Sequence, residues 1–472
     1  MLNFKRISDP VHGTIGLTQV EVDLINTPAF QRLRNVKQLG LAHYVFPGAD
    51  YSRFSHSVGV CHVTGRILEL LGKVPQTKLT EKEIQRYRIA GLLHDIGHYP
   101  YSHATESAVI NHYAASLLRS TTSSPKRSPK ILPRAFEHER VSKEILLNDD
   151  AIKDVLKHHS IKPTEISAVF LRESRPQFAN LVSSDLDADR IDYLLRTAHH
   201  TGLPYGSVDI DYILSQISLD GENRVCLSAK ALRAADHFLL CRYFDYQQVT
   251  FHKSVVGFEI ILKEIISALL RAGLIDCSAP AISRLIKTGR WAAFDDAFML
   301  DKIRELSVKT NDKHERQRAL SILNRLPPKL VAETEYLTKK EGTQRDDFLT
   351  KYKYIKEQIP KWAKKFQVNE KLWYPWKSSM ELTKIGSHVP VSTIDESSGT
   401  DREKLEQAVR VLNVDKRTSR PIMEVQHSLM KVLSDYSCYT IRVYVLLPSS
   451  KLKLAPEING KIKSDLESIG WK

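Results

Sequence analysis

The amino-acid sequence predicts a mainly α-helical fold that ends in a small α+β region. Several segments repeat apolar residues at helical spacing, and an alternating strand-like run, YTIRVYVLL, stands near the C-terminus. The chain has 472 residues, of which 42% are hydrophobic and 26% charged. This composition is typical of a globular protein with a large core.

Charge and cysteine content narrow the class of protein. The net charge of +14 favours polyanionic partners: nucleotides, nucleic acid or acidic lipid. The five cysteines are scattered without a C-x-x-C pair, which is typical of reduced thiols in the cytoplasm. No apolar stretch is long enough to cross a membrane, and the N-terminus lacks a signal-peptide core. We therefore expect a cytoplasmic protein that does not associate with membranes.

The N-terminal elements include a histidine on an apolar helix face. Pro28 marks a helix start, and residues 46–50 form a turn. Residues 51–72 then predict a helix that ends at Gly72. Its apolar stripe consists of His56, Val60, Val63, Ile67 and Leu70. A histidine there is usually a core residue, but a neighbouring ligand pair would favour a metal site.

That neighbouring pair stands in HDIGHYPYSHATE, residues 94–106. Thr80 and Glu83 have capping-box spacing and predict the start of the preceding helix. Tyr87, Gly91 and His94 then share one face, so His94 and Asp95 are expected to point inward. A buried carboxylate beside an imidazole is costly unless something such as a metal ion compensates it.

The next segments add a loop and an acidic cluster. Residues 115–135 are rich in serine, proline and basic residues, and predict a mobile surface loop. Helical periodicity resumes from 136 onward. Residues 181–203 contain four aspartates near a helix start: Asp185, Asp187, Asp189 and Asp192. Helix capping explains one or two of them, so a remaining carboxylate is a candidate metal ligand.

The C-terminal half is less informative. Residues 235–273 are strongly helical, and short helices are predicted over 285–340. Residues 339–377 interleave lysines with aromatics, which fits either a single-strand-binding stripe or a basic helix that covers a core. Residues 390–402 predict a linker, and 403–412 a helix before the strand-like run. We expect a domain over 1–340, a basic and aromatic connecting region over 341–402 and a small α+β region over 403–472.

Taken together, the motifs resemble those of a known superfamily. The segments RLRNVKQLGLAHYVFPGADYSRFSHSVGV, AGLLHDIGHYPYSH and DADRIDYLLR resemble the metal-binding histidine–aspartate (HD) phosphohydrolases, and within them the deoxynucleoside triphosphate triphosphohydrolases. The likeness is good over residues 1–270 and is greatest to animal members that also carry a SAM domain, which we do not expect here. It implies an HD-domain helical core and cleavage of dNTPs to a deoxynucleoside and inorganic triphosphate.

The resemblance also implies a metal site. Its ligands would be His56, His94, Asp95 and Asp189; composition alone does not select Asp189 among the four aspartates. Two imidazoles and two carboxylates suit one transition metal ion, namely Fe, Mn, Zn, Co or Ni. Mg²⁺ is expected to accompany the triphosphate.

Catalytic and substrate-binding residues follow from the same resemblance. His103 and Glu106 correspond to a His–carboxylate acid–base pair, and His98 and His138 to phosphate-contacting histidines. The implied substrate-binding residues are Gln38 and Leu39 beside the sugar, Tyr193 against it, and Arg53, Arg190 and Arg242 on the phosphates.

Several positions depart from the family pattern. Tyr246, Thr250 and Phe251 leave the base preference open. Asn26 stands where the animal enzyme's activator pocket has aspartate, which predicts weaker guanine recognition. The nearby basic residues are either a triphosphate site or a solvated face: Lys5, Arg6, Arg32 and Arg34.

Two alternatives to the dNTPase function remain open. One is a phosphodiesterase or nuclease that acts on single-stranded nucleic acid or cyclic nucleotides, which the basic stripe favours. The other is a nucleotide sensor without turnover, against which the intact ligand set argues. Expected partners are the dNTP substrate, a nucleotide activator, single-stranded nucleic acid and further copies of the chain in a tetramer or hexamer.

Overall fold

The computed structural model describes residues 4–75, 77–120, 133–171, 178, 181, 186–339, 342–381, 408–413 and 417–468. These residues are mainly helical, which confirms the predicted fold class. Within these ranges, no helix combines the length and apolar character needed to cross a membrane.

Most helices precede residue 330. They are α1 (Gln19–Ile25), α2 (Pro28–Gln31), α3 (Arg53–Leu71), α4 (Glu81–Leu93), α5 (His103–Ser120), α6 (His138–Asn148), α7 (Asp150–His158), α8 (Pro163–Phe170), α9 (Ala188–Thr201), α10 (Ile210–Ser215), α11 (Leu232–Asp245), α12 (Lys253–Arg271), α13 (Ala279–Lys287), α14 (Asp296–Lys309) and α15 (Lys313–Leu323). After them come α16 (Gly342–Phe366), α17 (Met430–Leu433) and α18 (Ala455–Glu467).

The strands form three small sheets. β1 (Lys5–Asp9) and β2 (Gly13–Leu17) make an N-terminal hairpin. A four-stranded sheet has the order β3 (Ile217–Leu219), β4 (Val225–Leu227), β7 (Arg410–Asn413) and β8 (Thr418–Pro421). In the third sheet, β9 (Tyr436–Val445) lies between β5 (Lys329–Lys339) and β6 (Trp373–Glu381) and runs antiparallel to both.

Long helices at the centre of the core set the positions of the site residues. α3 packs against both α4 and α9, and α5 packs against α12. The predicted capping box at Thr80 and Glu83 is present, and it starts α4. Gly72 is the C-cap of α3 and Pro28 is the first residue of α2, as predicted, whereas α3 begins at Arg53 rather than at residue 51.

Two helix predictions in the C-terminal half are wrong. Residues 329–339, expected among short helices, are β5, because they pair along their whole length with β9. Of the helix predicted over 403–412, residues 403–407 lie outside the described residues and 410–412 belong to β7. Val411 there pairs with Leu227 and Arg420, so contacts distant in sequence override the local helical pattern.

The predicted loop over 115–135 is also partly wrong. α5 continues to Ser120, and residues 133–136 form a 3₁₀ turn. Residues 121–132 lie outside the described residues, as does the linker predicted over 390–402.

The third sheet, which we call the C-terminal sheet, contains one strand from each of the three predicted regions. β5 precedes residue 340, β6 follows within 341–402, and β9 comes from 403–472. Within the basic and aromatic segment, Trp362 and Trp373 are buried, and Lys377 lies over the rings of Phe348 and Tyr352. This packing favours the interpretation of that segment as a core-covering helix and strand.

Candidate metal centre and its surroundings

Four side chains from three helical elements meet at one buried point. His56 comes from α3, His94 and Asp95 directly follow α4, and Asp189 lies in the first turn of α9. His56 Nε2 lies 3.0 Å from Asp189 Oδ1 and 3.7 Å from Asp95 Oδ2. His94 Nε2 lies 3.2 Å from Asp95 Oδ1 and 3.8 Å from Asp189 Oδ1. Two nitrogens and two carboxylates thus face a common centre.

The Nδ1 atom of each imidazole has a partner that sets the orientation of the ring. His94 Nδ1 is 2.8 Å from the Gly91 carbonyl oxygen, which only accepts, so Nδ1 carries the hydrogen and Nε2 presents a lone pair. His56 Nδ1 is 2.8 Å from Asp192 Oδ2. Both Nε2 atoms are buried without a hydrogen-bond partner. Imidazoles held in this way through Nδ1 are typical metal ligands, so the donor set fits a divalent cation.

The charges around the centre favour a cation there. Burial raises the pKa of Asp95, but Arg53, His94 and His98 together outweigh burial and hold this pKa well below its usual value. Burial also lowers the pKa of His56, yet the carboxylates of Asp189 and Asp192 raise it to about 9. The ionised carboxylates therefore stabilise positive charge between the two rings.

Asp192 connects the centre to the N-terminal hairpin, a role that the sequence analysis did not assign. Its Oδ1 accepts from Arg196 Nη2 at 2.7 Å and lies 2.7 Å from His12 Nε2. Arg196 Nε donates to its Oδ2 at 2.9 Å, the oxygen that also faces His56. A Cβ at Gly59 would lie 1.7 Å from Asp192, so glycine makes room for the carboxylate. The i, i+3 spacing from Asp189 was the available sequence signal.

A second cluster lies beside the first. Glu106 Oε2 is 3.1 Å from His103 Nδ1 and 3.2 Å from His138 Nδ1. The His98 ring stacks on His138 with centroids 3.7 Å apart, and its Nε2 lies 3.2 Å from Asp95 Oδ1, which joins the two clusters. Burial raises the pKa of Glu106, but hydrogen bonds from His103 and His138 outweigh burial and lower it. His103 itself is 72% exposed, so it faces solvent at the mouth of the site.

The backbone that leads into His103 is held in an uncommon conformation. Tyr101 and Ser102 have φ values of 54° and 55°, the left-handed region that costs energy for residues with a Cβ. Asp296 accepts from the Tyr101 amide at 2.7 Å and from the Lys37 amide at 3.0 Å. Ser102 Oγ accepts from Arg53 Nε at 3.0 Å. Asp296, which the sequence analysis missed, thus ties the backbone at Lys37 to the backbone that leads into His103.

Arg32 proves to be a structural residue. It is 2% exposed, donates to the carbonyls of Phe294 and His98 at 2.5 and 2.7 Å, and lies over the Trp291 ring. The suggestion that it belongs to a surface triphosphate site is therefore wrong. The remaining members of that basic group, Lys5, Arg6 and Arg34, are exposed, as is Asn26 at the end of α1.

The predicted substrate-binding residues differ in burial and in their partners. Arg53 is 2% exposed and pairs with Asp95. Gln38 Oε1 is buried without a hydrogen-bond partner. Leu39 is half-buried and packs against both hydrophobic clusters of the core.

Tyr193 lies one helical turn after Asp189 on α9. Burial and the nearby Tyr246 raise its pKa well above the usual value, and the guanidinium groups of Arg242 and Arg190 oppose this shift. The Arg242 guanidinium lies 5.8 Å over the Tyr246 ring. Among the other candidates, Asp187 caps α9 by accepting from the Arg190 amide at 2.6 Å, and Asp185 lies outside the described residues.

Comparison with known proteins identifies this arrangement. The model of the HD domain matches residues 53–197, from the first residue of α3 into α9, and so includes all four candidate ligands. The chain contains an HD domain. HD domains bind a divalent metal, which agrees with the geometry of the histidine–aspartate cluster.

Curated relatives extend the likeness to about half of the chain. The chain is 33% identical over 266 residues to the uncharacterised protein YwfO of Bacillus subtilis, covering 56% of this chain and 55% of YwfO. It is 33% identical over 260 residues to human deoxynucleoside triphosphate triphosphohydrolase SAMHD1, covering 48% of this chain and 38% of SAMHD1. The chain thus spans about half the length, or less, of these relatives.

A solved structure resembles nearly the whole chain. A hypothetical protein from Aquifex aeolicus superposes with a TM-score of 0.67 and 27% identity, covering 96% of this chain and 99% of that protein. A phosphohydrolase from Bacteroides thetaiotaomicron has a TM-score of 0.65 at 22% identity, which shows a shared fold. The C-terminal sheets described above therefore belong to an architecture seen in other proteins.

Proposed function

We propose that this HD-domain protein is a metal-dependent phosphohydrolase that cleaves dNTPs to a deoxynucleoside and inorganic triphosphate. The observation that carries the proposal is the pair of buried Nε2 atoms of His56 and His94 that face the carboxylates of Asp95 and Asp189, with a His–Glu–His cluster directly beside them. The similarity to human SAMHD1, whose name states this activity, supports the choice of dNTPs as substrate.

The residues divide into a metal-holding and a proton-transferring group. His56, His94, Asp95 and Asp189 would hold one transition metal ion. When bound, such an ion lowers the pKa of water and neutralises charge on a phosphate oxygen. Arg53 keeps the Asp95 carboxylate ionised and aimed at the centre through its ion pair.

In the proposed reaction, a water oxygen forms a bond to the α-phosphorus and the bond from that phosphorus to the 5′ oxygen breaks. The leaving deoxynucleoside needs a proton on its 5′ oxygen. Glu106 would hold His103 through Nδ1, so that a protonated His103 delivers the proton on Nε2 to the 5′ oxygen. The proton lost by the attacking water then restores the protonated imidazole through solvent. His98 and His138, with Mg²⁺ and the arginines at 190 and 242, would contact the triphosphate.

Selection of the sugar would come from the 38–39 segment and α9. The unpartnered Gln38 Oε1 is suited to accept a hydrogen bond from a 3′-hydroxyl. Leu39 and Tyr193 would crowd the 2′ carbon, so a ribose hydroxyl would be buried without a partner.

A product assay tests the proposal. The purified chain, with its metal content measured, is incubated with each of the four dNTPs, the four NTPs, single-stranded DNA and a cyclic nucleotide. We expect inorganic triphosphate and a deoxynucleoside from dNTPs, and much slower triphosphate release from the NTPs. Pyrophosphate or orthophosphate as the first product, or cleavage of single-stranded DNA or the cyclic nucleotide alone, would contradict the proposal and favour a phosphodiesterase or nuclease.

A further inference from the structure

The C-terminal sheet contacts the chain where the helix after Arg242 is interrupted. Residues Tyr246–Thr250 form a π-helical turn between α11 and α12. Phe251 donates its amide to the Tyr246 carbonyl at 2.7 Å, and α12 begins at Lys253 after the His252 cap. Such turns are uncommon and need support from their surroundings. We call residues 246–255 the π segment.

One side of the π segment faces the candidate nucleotide site. Tyr246 lies 5.8 Å below the Arg242 guanidinium at the end of α11, the helix that packs against α9. Val255 packs in a small cluster with Leu39 and Phe46, and His252 stacks edge-on against Phe46. The π segment thus bridges the α9 side and the 38–39 side of the predicted sugar pocket.

The other side of the π segment is held by β9 and β6. Arg442 donates to the Phe251 carbonyl oxygen, and it is 6% exposed. Its Nε donates to Glu333 Oε1 at 2.6 Å, and its guanidinium lies 5.3 Å over the Trp376 ring. Trp376 in turn packs edge-on against the Phe251 ring at 5.6 Å. Glu333, Arg442 and Trp376 are directly paired across the three strands, so the sheet register creates this clamp.

A second contact holds the start of α12. Tyr444 OH donates to the Lys253 carbonyl at 2.9 Å. Tyr444 lies two residues after Arg442 on β9, on the same face of the sheet. Two neighbouring side chains of one strand therefore bind the carbonyls on either side of His252, directly after the π turn.

We propose that the C-terminal sheet positions the nucleotide pocket. Its side chains Arg442, Trp376 and Tyr444 hold the backbone of residues 251–253 in place. They thereby fix the pocket wall that Tyr246 and Val255 form. This inference rests on the proposed function for the identity of the substrate and for the location of the sugar pocket. It assigns a role to strands that lie far outside the matched HD domain. Arg442 and Tyr444 are positioning residues that act through the π segment.

The sheet provides a matched control. Tyr374 on β6 is paired with Tyr444 across the strands, is similarly buried, and also makes one hydroxyl hydrogen bond, from Arg318 Nε at 2.9 Å. That bond does not involve the π segment. Tyr444→Phe and Tyr374→Phe therefore each remove one hydroxyl from the same sheet, and only the former removes a contact to the pocket wall.

The experiment compares wild type, Tyr444→Phe, Arg442→Met and Tyr374→Phe as full chains. We expect faster amide hydrogen exchange over residues 246–255 in the first two variants, and wild-type exchange there in Tyr374→Phe. With dATP, KM should rise roughly three- to tenfold, as for loss of one hydrogen bond, while kcat and metal content change less. Unchanged exchange over 246–255 in Tyr444→Phe, or an equal effect in Tyr374→Phe, would overturn the inference.

The two proposals fail in different ways. If wild type hydrolyses none of the dNTPs, the proposed function fails, yet the exchange measurement still decides whether the sheet holds the π segment. If wild type is active, and kcat and KM change in Tyr444→Phe by the same factors as in Tyr374→Phe, the positioning role fails while the proposed function stands.

Discussion

At the scale of single residues, the site depends on how each imidazole is oriented. His94 uses Nδ1 on a backbone carbonyl, whereas His56 uses Nδ1 on the Asp192 carboxylate. Both rings therefore direct Nε2 at the same buried point. Asp192 itself is shared with His12 and Arg196, so one carboxylate couples a metal ligand to the N-terminal hairpin.

The first prediction concerns Asp192. Asp192→Asn removes the charge that orients His56, and we expect about 10–100-fold weaker metal retention, the usual effect of losing an outer-shell partner. Competition with a chelator, read out by metal analysis, measures this. Asp9→Asn is the control, because Asp9 also binds Arg196 but does not contact His56. Equal metal retention in both variants would show that Asp192 serves only the fold.

The second prediction separates acid–base chemistry from metal binding. His103→Ala should keep the metal but slow turnover by about 10²–10⁴-fold, the usual contribution of a positioned acid or base. His112→Ala, on the same helix but away from both clusters, should turn over at the wild-type rate. Saturating-substrate kinetics with metal analysis decide the matter. Unchanged kcat in His103→Ala would remove it from the mechanism.

At the scale of elements, local sequence predicted the helices that present the site. The apolar stripe around His56 defines α3, which carries that ligand. The capping box at Thr80 starts α4, which ends directly before the ligands His94 and Asp95. Composition could not select Asp189 among its neighbours; the resemblance did. These short-range signals suffice because each helix is defined by its own periodicity and caps.

The C-terminal strands were harder to predict for a physical reason. β5 is exposed along one face, and its partner β9 lies about a hundred residues later, so its pairing has no local signal. The short strand β7 had a helical pattern that long-range pairing overrode. Asp296 and Arg442 were missed likewise, since their site contacts join residues more than 190 positions apart.

The third prediction concerns the sugar-selecting elements. If α9 and the 38–39 segment crowd the 2′ carbon, a ribose hydroxyl is buried without a partner, at a cost of about 1–3 kcal/mol. The kcat/KM for dATP should then exceed that for ATP by roughly tenfold to a hundredfold. Leu39→Ala, which opens this side, should narrow the difference. Comparable values for ATP and dATP in wild type would argue against the proposed sugar pocket.

At the scale of the whole molecule, the HD domain and the C-terminal sheets form one continuous architecture. The likeness to a solved structure over 96% of the chain extends beyond the HD domain into these sheets. Activation by a nucleotide would also act at this scale. The residues of the predicted activator site, Asn26 with the exposed Lys5, Arg6 and Arg34, do not belong to the metal centre.

The fourth prediction concerns activation. An asparagine offers one acceptor and one donor where guanine presents two donors, so we expect little guanine preference at this position. A mismatched polar pair costs about 1–3 kcal/mol. Nucleotide-free protein should therefore hydrolyse dATP and dTTP without GTP, or respond to another nucleotide. Strict dependence on GTP would show that Asn26 does not govern such a pocket, and Asn26→Asp is the informative variant.

The central claim is that one metal centre, built by α3, α4 and α9, performs phosphohydrolysis. The most direct test measures metal content and triphosphate release together in wild type and in the His94→Ala, Asp95→Ala double variant. We predict that wild type holds one transition metal ion per chain and releases triphosphate from dNTPs, and that the double variant loses both. A double variant that keeps stoichiometric metal and full hydrolysis would contradict the account.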